Sequence, residues 1–520
     1  MVPWGDPSAS PPSSALEAAI LDQSPWLSSG EVPAAYAPPH ERTLARVLWS
    51  RVLYEKPHRF QLILGPRRVG KTVCMYQTVR RLLAQGVARE RVRWLSIDHP
   101  MLRTLRLDEI VRIAVQQAQA THEKPAFLFL DELAIAEQWD AWLKTFHDQH
   151  WPVRIVASSS ASAALAERRE SGVGRWDEVY LGPCLLDEQM DLAGIEVRLR
   201  VEATLAETLE GLGEAEVDAA KLARALEEHL LIGGFPGLLS DAEAREEPAQ
   251  RFLRAQGVVR HDAIERALFR DVPQVFGIDD PALLERLLYL LAGEVTGILS
   301  PQSICKDMHG LAQPTFDRYL SFLERSFLVF TTTNYAATER STQKRGRKLY
   351  FVDGAARNAA LQRGNVPLGD ARERALLLEN AAAAHVHGLC RATGLRVHYW
   401  REREEVDLVF PHPSAPCAFE IASSPSHGRA GLQALAAAFP AFASRRWMVS
   451  PRGSWTSARA SRDGIGSVPL GLFLIAVGRQ SARELVGGAY PVPRDQSGEV
   501  RERRPARAAP QRRKARSKKA

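Results

Sequence analysis

The chain has 520 residues, 45% of them hydrophobic and 25% charged, with a formal net charge of +7. That length admits about three or four domains at roughly 100–200 residues each, and the composition excludes fibrous, collagenous and membrane-embedded classes. The charge is uneven: ten basic residues and one acidic residue lie between Val500 and Ala520, so that tail carries +9 and the rest of the chain −2.

The five cysteines (Cys74, Cys184, Cys305, Cys390, Cys417) are far apart and form no CxxC or Cys/His pair, so neither a disulfide framework nor a zinc site is indicated. A reducing, cytoplasmic setting is the expectation. The N-terminus lacks the basic and apolar regions of a secretory signal. The oiliest run, Val468–Val477, falls short of the about 20 residues a bilayer span needs, and it predicts a buried strand. No membrane partner is expected.

In chain order, residues 1–40 are rich in proline, serine and alanine and predict a disordered segment. From Glu41 a helical pattern, "ERTLARVLWSRVLY", leads into the strand "FQLILG". Helices then alternate with the apolar strands "RVRWLSID", "AFLFLDE" and "VRIVASSS", which predicts a parallel sheet covered by helices. A helical stretch from Leu185 to about His261 contains a Gly/Pro break, "LIGGFPGLL". "ERALFRDV" and "PALLERLLYLLAGE" are further helices; "SPQSICKDMHGLAQPTFDRYLSFLERSFLVF" reads helix, turn, helix, strand. The remainder is mixed, with strands "KLYFVD", "RVHYW", "VDLVF", "CAFEIAS" and "RRWMVS" and a long helix from Arg372 to about Leu389. No repeat of 20–50 residues is present.

Gly65-Pro66-Arg67-Arg68-Val69-Gly70-Lys71-Thr72 matches GxxxxGK[ST], with a strand before it and a helix after it. Glycines let the backbone wrap inward, so several N–H groups converge on one anion. The helix beginning near Lys71 adds the positive end of its dipole. Residues Gly65 to Val73 are therefore the candidate ATP-binding segment, with Lys71 reaching the β- and γ-phosphates and the Thr72 hydroxyl on Mg²⁺. "AFLFLDE" delivers Asp131 to the ligand edge of the sheet as a second Mg²⁺ residue. Glu132, next to it, would polarise the attacking water. Ser158 to Ser160 end another apolar strand, where a polar side chain would sense the γ-phosphate. Arg175, after a glycine in a loop, would stabilise transition-state charge in cis or from a neighbouring subunit; a surface arginine is the competing reading.

"GPRRVGKT", "LFLDE" followed by "WDAWLK", the serine-rich strand end and "GR" before a strand together resemble a family of prokaryotic AAA-type ATPases with a C-terminal domain of unknown function. "LIGGFPG", "FRDV", "TFDRYLSFLERSFLVF", "KLYFVDGAARNAAL", "LLEN" and "YWREREEVDLVF…AFEIASS" extend the resemblance from about Glu41 to Gly478. It implies an α/β AAA+ core of the additional-strand P-loop type, with helices on both faces of a parallel sheet. A helical and winged-helix-like region and a mixed α/β, restriction-endonuclease-like domain would follow. Two positions depart from the family pattern: Val156-Ala157 replaces a Thr-Gly pair, and Val73 replaces a second threonine; neither removes a phosphate or metal ligand. The implied organisation is a disordered segment (1–40), ATPase core (41–184), helical region (185–261), winged-helix-like module (262–346), nuclease-like domain (347–480) and basic disordered tail (481–520).

In the winged-helix candidate, Lys306, Gln313, Thr315 and Arg318 would lie near a groove-facing surface, although Asp317 and Glu324 would be repelled by phosphates. The basic loop Thr338–Lys348 is the better phosphate contact. In nuclease-like folds two or three carboxylates and a lysine converge on a metal. Glu379, Asp407 and Glu420 fit that pattern, but the expected lysine position holds Ala422, so a degenerate domain is expected. Three functions follow: an Mg-dependent ATPase controlling the appended domains; a nucleotide-gated switch docking on DNA or a protein partner; and an ATP-dependent DNA-processing nuclease, disfavoured by Ala422. DNA would be met through the tail, the Thr338–Lys348 loop or the winged helix.

Overall fold

The structure, a computed structural model, describes residues 14–160, 172–239, 247–273, 278, 280–338, 342, 346–424 and 427–487. The first sheet contains β1 (Phe60–Leu64), β2 (Val92–Ser96), β3 (Ala126–Asp131), β4 (Val153–Ser159) and β5 (Trp176–Tyr180) in the order β2-β3-β4-β1-β5. Every pair in it is parallel. β1, β3 and β4 are short, nearly continuous apolar runs, as strands buried on both faces require, whereas the edge strand β5 carries Asp177 and Glu178. Alternate side chains go to opposite faces. Ile63, Phe127, Phe129 and Val156 meet the helices Thr43–Tyr54 and Lys71–Ala84, whereas Leu62, Leu128, Leu130 and Ile155 meet Leu107–Gln117 and Trp139–Asp148. This is the helix-covered parallel sheet of P-loop NTPases. β4 lies between the strand entering the glycine loop and the strand ending in Asp131, which is the additional-strand order.

A small hairpin of β6 (Val197–Arg198) and β7 (Glu216–Val217) follows, and helices occupy most of the chain from Leu205 to Arg325. The second large sheet is mixed. It contains β8 (Val329–Asn334), β9 (Arg347–Phe351), β10 (His398–Arg401), β11 (Glu405–Phe410), β12 (Cys417–Ile421), β13 (Arg446–Ser450) and β14 (Ile465–Pro469), ordered β14-β13-β12-β11-β10-β8-β9. The long helices Ala371–Thr393 and Leu470–Leu485 cover one face of it, and Ala430–Ala438 covers the other.

Four expectations need correction. The N-terminal segment is ordered from Ser14 onward: Trp26 is fully buried, its indole donates to the Val92 carbonyl (3.1 Å), and Tyr36 stacks on Tyr76. Residues 1–13 lie outside the described residues. The oily run Val468–Val477 is the end of β14 and the first half of a buried helix. The boundary at 346/347 divides a hairpin, because β8 pairs antiparallel with β9 while β8 also pairs with β10. The hairpin that follows the helices Pro301–Asp307 and Gln313–Arg325 therefore shares one sheet with the strands that the nuclease-like expectation covered. Finally, most of the basic tail and of the 338–348 loop falls outside the described residues, and Lys348 is buried (3% exposed), so it is not an exposed cation of a basic surface loop.

Candidate functional site

β1 ends at Leu64 and the chain turns at once. Gly65 is obligatory there, because a Cβ would come within 1.9 Å of the Leu181 carbonyl oxygen at the end of β5. The turn closes through Arg68 and Gly70, both left-handed (φ 67° and 89°), and the helix starts at Lys71. Arg42 braces the loop from behind. Its guanidinium donates to the Val69 carbonyl (2.6 Å) and the Gly182 carbonyl (3.0 Å), and it pairs with Glu188 (2.6 Å). Sequence reasoning missed Arg42; the one available signal was a basic residue at the start of the helical pattern.

Lys71 is buried, and its Nζ donates to the carbonyls of Gly65 (2.9 Å) and Pro66 (2.8 Å). Burial pulls its pKa down to about 8 against the opposing pull of Glu132 and Asp131. Thr72 Oγ1 donates to Asp131 Oδ2 (2.9 Å), and Ser158 Oγ donates to Asp131 Oδ1. The loop hydroxyl and the carboxylate thus meet at the C-terminal edge of the sheet, a hard-oxygen pair of the kind Mg²⁺ prefers. Burial raises the Asp131 carboxyl above the usual range, while Ser158, Thr72 and Lys71 pull it down. Glu132 is left-handed (φ 54°); its N–H meets Ser158 Oγ (3.2 Å) and its carboxylate accepts from Ser160 (3.2 Å). Burial also raises Glu132, against Lys71, which brings its proton affinity nearer that of a base working at neutral pH.

The expected residues from Gly65 to Thr72, Asp131, Glu132 and the serines of β4 therefore share one edge. Arg175 does not join them. Its carbonyl accepts from Phe60 N–H at the other end of β1, and its guanidinium forks onto Asp148 (2.7 and 2.9 Å). Five strand residues at roughly 3.3 Å each separate it from the loop, which removes the role in cis.

Two acidic residues from the helical arm enter the site instead. Arg67 makes a bidentate pair with Asp271 (both 2.7 Å), Arg68 pairs with Asp262, and Ser160 Oγ also reaches Asp271 (3.4 Å). Asp271 is the aspartate of "FRDV", a motif that carries no ligand signature of its own. Pro236 of the "GGFPG" break lies beside Gly70.

A second polar cluster lies in the mixed sheet. Lys348 on β9 meets Glu379 (3.3 Å), Asp407 (3.5 Å) and Glu405, and Tyr350 donates to Glu379 (2.9 Å). Asp407 accepts from Ile421 N–H (2.9 Å), and Glu420 pairs with His427 (2.7 Å). Glu379, Asp407 and Glu420 are thus near neighbours. The lysine expected at position 422 comes instead from another strand, while Ala422 packs with Leu432 and Met448. Among the described residues, no three His, Cys, Asp or Glu side chains are set to hold a metal ion as they stand. Burial and Asp407 push Glu379 up to about 8 and Glu420 up to about 7. Burial disfavours the Lys348 ammonium, yet the three carboxylates outweigh it and raise its pKa.

These raised carboxyls fix a sign. Their contribution to folding is full below the ordinary glutamate value of 4.5 and is lost as pH climbs through about 7 and 8. The melting temperature of the C-terminal part is expected to fall between about pH 5 and 8. Glu379→Gln is expected to flatten that fall, as read by thermal unfolding across the pH series. Asp407, Glu405, Lys348, His427 and Tyr350 face these groups and stay constant in the comparison.

Fold and loop are those of a P-loop NTPase domain. The family model described as "AAA domain" matches residues 57–190, and one described as "Domain of unknown function (DUF8612)" matches residues 223–366. The chain is 22% identical over 327 residues to the uncharacterized protein MJ1544 of Methanocaldococcus jannaschii; the match covers 62% of this chain and 65% of that one. It is 20% identical over 323 residues to an uncharacterized protein of Haemophilus influenzae, covering 61% of this chain and 73% of that one. Among solved structures, the Walker-type ATPase paby2304 of Pyrococcus abyssi is 16% identical with a TM-score of 0.34, covering 62% of this chain and 98% of that one. The Orc1 protein of Aeropyrum pernix, solved in complex with DNA, is 17% identical with a TM-score of 0.28, covering 63% and 93%. Among the described residues no helix is long and apolar enough to cross a membrane.

Proposed function

We propose that this protein is an Mg-dependent ATP hydrolase whose nucleotide state controls its C-terminal domains. The observation that carries the reading is the meeting of the loop hydroxyl of Thr72 with Asp131, beside Lys71 and Glu132, at one sheet edge. Backbone N–H groups of residues 67–72 and the Lys71 ammonium hold the phosphates. Thr72 and Asp131 would hold Mg²⁺, which would supply charge neutralisation for the phosphates. Glu132 orients the attacking water and draws on its proton, with Ser160 fixing its carboxylate. The purified full chain is expected to release phosphate from Mg-ATP; assays with and without DNA test whether the C-terminal domains respond to a polyanion. Tight ATP binding without phosphate release would favour the nucleotide-gated switch.

Lys348 favours a second reading, phosphodiester cleavage in the mixed sheet, because it supplies the cation that Ala422 lacks. Glu420 Oε2 is buried with no hydrogen-bond partner, which suits a hard cation reached together with Asp407. The reading expects plasmid nicking with Mn²⁺ or Mg²⁺ that Asp407→Asn and Lys348→Met each abolish. Intact plasmid under both metals would leave the cluster a structural or binding element.

A further inference from the structure

We propose that Asp271 competes with the terminal phosphate of a bound nucleoside triphosphate for Arg67 and Ser160, so that a triphosphate, and not a diphosphate, loosens the phosphate loop from the helical arm. The proposal rests on the reading of residues 65–72 as a triphosphate site.

Arg67 lies inside that loop, and its planar fork is filled by one carboxylate, Asp271, through two bonds of 2.7 Å. A phosphate oxygen pair presents the same bidentate geometry to a guanidinium and carries more charge. Hydrogen bonding to Asp271, with Asp271, Glu132 and Asp262 nearby, raises the Arg67 pKa, so the guanidinium stays charged for whichever anion it faces. Ser160 places Asp271 on the hydrolytic side of the site. Its single hydroxyl lies within reach of both Glu132 (3.2 Å) and Asp271 (3.4 Å). An anion arriving next to Glu132 therefore meets the Asp271 carboxylate as a like charge and Arg67 as a shared partner. The α- and β-phosphates, held by backbone N–H groups and Lys71, need not meet either.

The neighbouring contact repeats the arrangement. Arg68, left-handed at φ 67°, pairs with Asp262, which Arg266 also approaches (3.4 Å). Both aspartates belong to one arm of π-helical turns, Arg260–Glu265 and Ala267–Asp271. Wide turns of this kind cost regular hydrogen bonding and recur at functional sites. The arm buries Ile264, Leu268 and Val272 in a core shared with the helix Pro281–Gly293, so a displacement of Asp271 is carried towards the C-terminal sheet. Asp271 is thus a positioning residue and not a catalytic one.

The test measures Kd for fluorescent ATP and ADP analogues on the full chain. Asp271→Asn keeps the shape and removes the charge. It is expected to tighten ATP about ten-fold while ADP changes less than about two-fold. Asp271→Ser is expected to shift ATP in the same direction, and Asp271→Glu to resemble wild type. In an Arg67→Ala background, Asp271→Asn is expected to tighten ATP less than it does in wild type, as coupling through a shared partner requires. Wild type that binds both nucleotides, with the variants shifting ATP and ADP alike or not at all, would overturn this proposal alone. Wild type that binds neither would overturn the nucleotide reading of the loop, and this proposal with it.

Discussion

Lys71→Ala is expected to abolish phosphate release and to weaken ATP binding, with turnover falling by at least about 10²-fold. Lys71 is almost fully buried, and its ammonium is held by two loop carbonyls, those of Gly65 and Pro66. Burial has already drawn its pKa down to about 8, so a triphosphate that restores a nearby negative charge binds a group held ready for it. Alanine leaves the Gly65 and Pro66 carbonyls without that donor and the phosphates without their cation. Thermal unfolding near the wild-type temperature, measured in the same preparations, separates loss of binding from loss of fold.

Glu132→Gln is expected to slow hydrolysis by about 10²- to 10⁴-fold while ATP remains bound, the span that removal of a general base covers. Glutamine keeps the size of the side chain and its contact with Ser160 but cannot take a proton. The Glu132 carboxylate is held by Ser160, outside the loop, so the affinity for ATP is expected to change little. Single-turnover experiments read this directly as a long-lived enzyme–ATP complex. Equal ATP lifetimes in wild type and Glu132→Gln would mean that the glutamate does not act on water.

What could be read from the sequence follows sequence distance. The phosphate loop is eight consecutive residues whose glycines answer to a local steric need, so its geometry was legible. So was Asp131-Glu132, because five apolar residues before two acids, among alternating helices and strands, read as a buried strand that carries its acids to the sheet edge. Asp271 was not legible: 204 residues separate it from Arg67, and the pairing exists only through the packing of the arm. Lys348 was missed for a related reason. The search for a lysine two residues after Glu420 followed one strand, while the structure supplies the ammonium from β9, two strands beyond the neighbour of Asp407's own. Val468–Val477 was read as a strand because ten apolar residues fit either element by periodicity; its helix is set by packing against Ala371–Thr393. The prolines of the first 40 residues suggested disorder, yet one buried tryptophan and the carbonyls that receive Arg80 tie the end of that segment to the core.

The most direct test of the central claim is a single-turnover assay of Mg-ATP on the full chain. Phosphate release by wild type, with bound ATP persisting in Glu132→Gln and no phosphate release in Lys71→Ala, is the predicted result. Wild type that holds ATP as long as Glu132→Gln, or releases phosphate no faster than Lys71→Ala, would contradict it.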